Sequence, residues 1–159
     1  MTALIKFDDT VSYRLARVTT AFRSSLERSM GQIGLHGGQV FILFELWNQD
    51  GLKQRDLAER LALAAPTVNK MVRGLVQIGL VTNSRFDDDA RSTRIFLTQR
   101  GLSIRDEIER QWVDLEESSL AGLTETERLV LHDRRSKLKA PYTGREDASD
   151  DEDEKRVVR

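Results

Sequence analysis

Apolar side chains recur every three or four residues along the first thirty positions. The stripe consists of Phe7, Val11, Leu15, Val18, Phe22, Leu26 and Met30. This spacing predicts one long amphipathic helix, ending before Gly31 or Gly34. A nearly continuous apolar run from Val40 to Trp47 follows. It predicts a short second helix that lies in the core.

Two short amphipathic segments joined by a tight connection come next. Leu57, Ala58 and Leu61 mark the first, and Pro66 suits the first position of the second, where its missing N–H costs nothing. Gly79 is a stop signal. The second segment has an inward stripe of Val68, Met71, Val72 and Leu75, and a polar outer face of Thr67, Asn69, Lys70 and Arg73. This arrangement is typical of a helix-turn-helix.

Residues 80–86 and 92–98 are β-prone and flank the turn-forming stretch Asp87–Arg91, which predicts an antiparallel hairpin. Thr98 is positioned to cap a helix that runs to about Leu120. Thr124 and Glu127 have capping-box spacing and open a last helix through Leu138. Beyond Tyr142 the chain is too polar and too like-charged to be expected to order itself.

The net charge of −1 hides an asymmetry along the chain. The tail from Glu146 holds seven acidic and three basic residues, whereas Lys53–Arg105 holds ten basic and five acidic residues. The middle of the chain is therefore where an anionic partner would bind.

The sequence lacks the residues and motifs that are typical of several kinds of catalytic, cofactor and metal site. There is no cysteine, there are two histidines far apart, and neither a Gly-rich phosphate loop nor a G-x-S-x-G motif occurs. These absences argue against an enzyme, a cofactor and a metal site. The apolar runs are too short for a membrane span and the N-terminus has no signal-peptide core, so we expect a cytoplasmic protein.

The segments "LKQRDLAERLALAAPTVNKMVRGLVQIGLV" and "DDDARSTRIFLTQRG" resemble the MarR family of winged-helix transcriptional regulators. The family's wing aspartate and arginine match Asp87–Arg91, and its Leu-Thr-x-x-Gly motif matches Leu97, Thr98 and Gly101. The sequence departs from the family pattern at Lys53, where a Ser or Thr helix cap is usual, and at Gly74, where a long, often basic side chain is common.

The resemblance implies a mainly α fold with a small β-hairpin wing, in which a winged helix-turn-helix domain joins a helical dimerisation domain. The expected division is N-terminal helices at 7–50, the DNA-binding region at 51–98, dimerisation helices at 99–140 and an acidic tail at 141–159. The implied protein is a homodimer on pseudo-palindromic double-stranded operator DNA. Such proteins are usually repressors, and a small aromatic or phenolic ligand releases them from the DNA.

We predict a set of DNA-contacting side chains from chemistry and position. Arg and Lys can donate to guanine, Asn can pair with adenine, and a helix start suits a phosphate. Asp89 would hold the guanidinium of Arg91, the wing arginine, in one rotamer. For Arg94 a cross-strand ion pair is the open alternative. The set comprises Gln54, Arg55, Pro66, Thr67, Asn69, Lys70, Arg73, Asp89, Arg91 and Arg94.

By resemblance, Arg14, Arg17 and His36 lie where the carboxylate or phenolate of an effector could dock. The alternatives are surface ion pairs or a structural histidine. The acidic tail could compete with DNA for the basic face or serve as a solubility tail. A winged-helix module that binds protein instead of DNA is the alternative function. Lys70 and Arg73 argue against that alternative.

Overall fold

The computed structural model describes residues 6–84 and 93–134. Its helices and strands are a 3₁₀ turn at Phe7–Asp9, α1 (Val11–Gly31), α2 (Gln39–Asn48), β1 (Leu52–Lys53), α3 (Gln54–Arg60), α4 (Ala65–Gln77), β2 (Val81–Ser84), β3 (Arg94–Leu97), α5 (Gln99–Ser103), α6 (Arg105–Leu120) and α7 (Glu125–Arg134). A mainly helical fold with a small antiparallel sheet is confirmed. The chain forms two compact units, one up to Gly122 and one from Leu123 onward.

The core of the first unit is built around α2, whose Val40, Ile42, Leu43 and Leu46 are buried, as the apolar run predicted. The other main contributors are Leu26, Met30, Leu57, Val68, Val72, Leu75, Leu80, Ile95 and Ile108. Phe22, Phe44, Trp47 and Trp112 pack against this core. Together with the more exposed Phe41 they form a set of ring contacts with centroid distances of 5.1 to 6.2 Å. Trp47 and Trp112 are therefore part of this ring packing.

The helix-turn-helix forms as predicted, with α3 and α4 joined by a connection in which Ala62 has a φ of 50°. Pro66 is in the first turn of α4, but the helix begins one residue earlier, at Ala65, so Pro66 is its second residue. Lys53 precedes α3 without a side-chain cap hydrogen bond, in agreement with the expected weak cap. Gly79 ends the α4 segment with a φ of 73°, a backbone conformation that favours glycine.

The sheet has three antiparallel strands in the order β1-β3-β2, one more than the predicted hairpin. In the added strand Leu52 pairs with Ile95 and Lys53 pairs with Arg94. A two-residue strand leaves no alternation to detect, which is why the pattern did not predict it. The predicted turn of the hairpin lies outside the described residues, and so do Asp89 and Arg91.

Thr98 connects the sheet to the following helices. Its hydroxyl oxygen accepts the Gly101 N–H at 3.0 Å and donates to the Gly79 carbonyl at 2.7 Å, which confirms the predicted cap. A Cβ at Gly101 would lie 2.0 Å from the Leu80 carbonyl oxygen, so this position of the Leu-Thr-x-x-Gly motif requires glycine. The single long helix predicted after Thr98 is instead α5 and α6, separated at Ile104.

The second unit contains α7, which starts with the predicted capping box. The Thr124 N–H donates to the Glu127 carboxylate at 2.8 Å, and the Glu127 N–H donates to the Thr124 hydroxyl at 3.3 Å. The Thr124 N–H and the Thr124 hydroxyl, which also donates to the Glu127 carboxylate at 2.8 Å, lower the pKa of Glu127. The predicted helix end at Leu138 lies outside the described residues. Over the ranges that the structure describes, no helix has the length and apolarity that a membrane crossing requires.

Candidate nucleic-acid interface

Helix α4 presents a polar face to solvent and an apolar face to the core. Val68, Val72 and Leu75 are buried, and this stripe fixes the rotation of the helix. The predicted contact residues of α4 are all exposed: Pro66, Thr67, Asn69, Lys70 and Arg73. The structure thus brings these five side chains together on one exposed, cationic surface.

The start of α3 lies beside this surface. The Gln54 side-chain amide donates to the Asn69 side-chain oxygen, which links the two helices of the helix-turn-helix. Arg55 is exposed and pairs with Glu59 at 3.6 Å. Because a surface pair of this length is weak, the Arg55 guanidinium remains available to a phosphate.

A groove of about 460 Å³, here called the β2 groove, runs along the same side of α4. Its lining residues are Gln54, Asn69, Val72, Arg73, Val76, Gln77 and Asn83. Sequence reasoning missed Gln77 and Asn83 as candidates. Gln77 follows Arg73 by four positions and so shares its face of the helix, which was a usable signal. The position of Asn83 depends on how β2 packs beside α4.

Arg94 lies at the base of the sheet and is half-buried. Its guanidinium Nη1 donates to the Gly51 carbonyl at 2.9 Å, which ties β3 to the turn before β1. This bond differs from both sequence interpretations, a DNA contact and a cross-strand ion pair. The aspartates of that ion pair, Asp87 and Asp88, lie outside the described residues.

A second cavity of about 640 Å³, the junction cleft, separates α4 from α1 and from the connection between α1 and α2. Its lining residues are Arg23, Glu27, His36, Gly38, Gln39, Thr67, Lys70, Met71, Arg73, Gly74 and Gln77. Of the three predicted effector contacts, His36 lines this cleft within the described part of the chain. Arg14 and Arg17 lie nearer the N-terminus of α1 and are exposed. Arg23, which sequence reasoning missed, lines the cleft in their place.

The carboxylate of Glu27 organises one wall of the junction cleft. One oxygen lies 2.7 Å from His36 Nδ1, and the other accepts the Gly37 N–H at 2.7 Å. The hydrogen bond from His36, followed by that from Gly37, lowers the pKa of Glu27. The imidazole remains 81% exposed, so His36 is both a structural partner of Glu27 and accessible from the cleft.

Comparison with known proteins finds similarity to transcriptional regulators. The model of the MarR family matches residues 36–93. The HTH-type transcriptional regulator TtmR of Methylorubrum extorquens is 27% identical over 101 residues, which cover 64% of this chain and 51% of that protein. The organic hydroperoxide resistance transcriptional regulator of Bacillus subtilis is 32% identical over 68 residues, which cover 43% of this chain and 46% of that protein. The chain thus spans about half the length of these curated relatives.

Among solved structures, the Staphylococcus aureus MepR–DNA complex is similar with a TM-score of 0.72 and 25% identity. The alignment covers 80% of this chain and 95% of that one. The similarity therefore extends well beyond the length of a helix-turn-helix.

Proposed function

We propose that this chain belongs to the MarR family, whose model matches residues 36–93, and that it is a sequence-specific DNA-binding transcriptional regulator that acts as a homodimer. Proteins of this family are regulators and not enzymes. The observation that carries the proposal is the exposed polar and cationic face of α4, held in place by a buried apolar stripe. We call α4 the recognition helix from here on.

The recognition helix enters the major groove of operator DNA. Lys70 and Arg73 donate to guanine O6 and N7, Asn69 contacts a base edge, and Thr67 contacts a phosphate or a thymine methyl. Pro66 starts the helix at the groove. Gln54 and Arg55 contact the backbone from the start of α3. The solved MepR–DNA complex, similar over 80% of this chain, supports DNA as the partner.

The wing completes the contact with DNA. Arg91 enters the minor groove beside the recognition site, and Asp89 orients its guanidinium. Arg94 supports the wing from its base, because its guanidinium is bound to the Gly51 carbonyl.

The dimer forms through the helices outside the winged domain, from the segments at 7–50 and 99–140. Support comes from apolar side chains that this chain leaves in solvent at its N-terminus, with Phe7 74%, Val11 72% and Val18 63% exposed. Leu129, Val130 and Leu131 of α7 are likewise exposed. Two winged domains in such a dimer meet successive major grooves about 34–36 Å apart on a pseudo-palindromic operator.

The protein acts in the cytoplasm as a repressor. A small aromatic or phenolic ligand relieves the repression. The junction cleft supports this proposal, because it lies against the recognition helix and is lined by Arg23, Lys70 and His36. An aromatic carboxylate bound there would favour a conformation in which the recognition helix is displaced. It would thereby lower the population of the DNA-binding conformation.

The test is fluorescence anisotropy on duplex DNA from the gene's own upstream region against a shuffled duplex, over a series of salt concentrations. We expect tighter binding to the first duplex and a steep loss of affinity with salt, as phosphate contacts require. Arg73→Ala should weaken specific binding about tenfold or more, as loss of a bidentate base contact does. Arg28→Ala, on the exposed face of α1, is the matched control and should bind like the wild type.

If the protein is normally folded and binds neither duplex at any salt concentration, that result would favour the protein-interaction module instead. If operator binding is found, hydroxybenzoates are added to the same complex. Release that is lost in Arg23→Ala but retained in Arg17→Ala would locate the ligand in the junction cleft. Equal loss in both variants, or in neither, would contradict that location.

A further inference from the structure

Gln39 is the buried polar residue of the described core, with 4% of its surface exposed. It is the first residue of α2, and its side-chain oxygen accepts the His36 N–H at 2.9 Å. Its side-chain nitrogen lies 3.5 Å from the carbonyl oxygen of Met71 in the recognition helix. One buried amide group therefore contacts both the connection after α1 and the backbone of the helix proposed to read DNA.

Glycine on the recognition helix makes this contact possible. A Cβ at Gly74 would lie 2.4 Å from the Gln39 side-chain nitrogen, which is closer than two such atoms approach. On the other side of the contact, a Cβ at Gly38 would lie 2.7 Å from the Met71 methyl carbon. A side chain at Gly74 would therefore displace the Gln39 amide, and one at Gly38 would displace the Met71 methyl group.

The same segment is held against α1. A Cβ at Gly37 would lie 3.1 Å from Leu26 Cγ and 3.2 Å from the Glu27 nitrogen. The Glu27 carboxylate also binds the Gly37 N–H at 2.7 Å. A continuous set of contacts therefore runs from α1 through residues 36–39 to the recognition helix.

We propose that Gln39 is a positioning residue. Its side chain occupies the space beside Gly74 and holds the recognition helix in its DNA-reading position. This proposal rests on the proposed function and adds a residue that lies away from the DNA-facing surface. A shift of the recognition helix would leave a buried amide without its partner, and such a group is costly in a core. Gln39 thereby favours one position of the helix over its neighbours.

The proposal also accounts for a departure noted in the sequence. Gly74 stands where the family resemblance leads us to expect a long, often basic side chain, and the structure places Gln39 directly against it. At this position the chain has a contact inside the protein instead of a further cation.

The experiment is a double-mutant cycle on operator affinity with Gly74→Ala, Gln39→Ala and the double variant. Alanine favours a helix more than glycine does, so Gly74→Ala should not weaken the helix itself. We expect its operator affinity to fall at least tenfold, because the methyl group displaces the Gln39 amide. Affinity for the shuffled duplex should stay within about twofold, since every cation is retained.

In the double variant the methyl group that Gly74→Ala introduces occupies space that the Gln39 amide has vacated. Gln39→Ala should itself weaken operator binding, and the affinity of the double variant should lie within about threefold of that of Gln39→Ala alone. Additive losses would overturn the coupling of the two positions, and a Gly74→Ala variant with wild-type affinity would overturn the positioning role. Val68→Ala, at a buried position of the same helix that lines neither the junction cleft nor the β2 groove, is the control for general packing.

Hydrogen exchange of residues 65–77 in the DNA-free protein separates this inference from the proposed function. We expect faster exchange in Gln39→Ala than in wild type across the recognition helix, with unchanged exchange in α6. Unchanged exchange in the recognition helix would overturn the inference even if the protein binds its operator. Faster exchange in a protein that distinguishes no duplex would instead leave the packing role intact and remove the regulatory function.

Discussion

The two halves of α1 carry the same apolar stripe and differ in what covers it. In the C-terminal half, Leu26 and Met30 are 3% and 0% exposed. In the N-terminal half, Val11 and Val18 are 72% and 63% exposed, although they occupy equivalent positions of the helical repeat. Periodicity therefore identifies the face of a helix that is to be covered, but not the element that covers it.

The covered half is the part of α1 that reaches α6 and the connection to α2. The Ser29 hydroxyl donates to the Gln111 side-chain oxygen at 2.6 Å, and the Phe22 and Trp112 rings are 5.7 Å apart. The uncovered half is the surface that we propose for self-association. The two halves should then respond differently to the same substitution.

The largest effect is expected from Leu26→Ala in the covered half. Removing a fully buried leucine side chain costs roughly 2–5 kcal/mol of unfolding free energy, because transfer and cavity terms add. Urea denaturation followed by circular dichroism measures this loss. Leu15→Ala, the same substitution at a site that is 43% exposed, is the matched control. A loss for Leu15→Ala as large as that for Leu26→Ala, and independent of protein concentration, would contradict the division of α1 into two halves.

A charge in the uncovered half should act on assembly rather than on the fold of one chain. Val18→Asp would place a carboxylate in an apolar interface, so we expect self-association to weaken at least tenfold, about 1.4 kcal/mol. Sedimentation velocity over a range of concentrations measures it. Operator affinity should fall with it, since two half-sites are then no longer bound together.

Ser12→Asp, on another face of the same half, is the control and should leave self-association unchanged. If Val18→Asp also leaves it unchanged, the stripe does not form the interface.

Removing the N-terminal cap of α1 should lower stability by a smaller amount, and the uncovered half of the helix should open first. The Thr10 hydroxyl accepts the Tyr13 N–H at 3.3 Å. Thr10→Ala removes this bond and should cost about 1 kcal/mol, the usual value for a helix N-cap. Hydrogen exchange should show faster opening of the first turns of α1 and no change around Met30. Thr19→Ala, inside the helix, is the control, and equal effects of the two variants would argue against a capping role.

The sequence predicted what one segment determines by itself. Val68, Val72 and Leu75 point inward and Lys70 and Arg73 point outward, because a single helix fixes that alternation. The caps at Thr98 and Thr124 are equally local and were predicted correctly. Asp89 and Arg91 stay predictions, since they lie outside the described residues.

Features that depend on distant segments were missed. Strand β1 forms only because Lys53 pairs with Arg94, and the contact between Gln39 and Gly74 joins positions 35 residues apart. Ile104 separates α5 from α6 without a glycine or proline to mark the break. No periodicity within one segment encodes such contacts, so the junction cleft could not be assembled from the pattern.

The smallest effect is expected at Glu27, which lies in the covered half but keeps its carboxylate in solvent. Hydrogen bonds from His36 and Gly37 lower its pKa, so the folded state favours the ionised form. Its contribution to stability is therefore present above the pKa of the unfolded chain and is lost as the pH falls through the lower pKa of the folded one. With the Glu27 side chain 54% and that of His36 81% exposed, that contribution should stay below about 1 kcal/mol.

Glu27→Gln should thus lower the unfolding free energy slightly at pH 7, and the difference from wild type should shrink as the pH falls below about 4. Urea titrations of both proteins at pH 7 and pH 3 measure it. The charged groups around the carboxylate, namely Arg23, His36, Lys70 and Arg73 of the junction cleft, remain in both proteins. Glu116→Gln, an exposed carboxylate on α6, is the control and should show no pH-dependent difference. A deficit of Glu27→Gln that persists undiminished at pH 3 would mean that shape at this position, and not charge, holds residues 36–39 against α1.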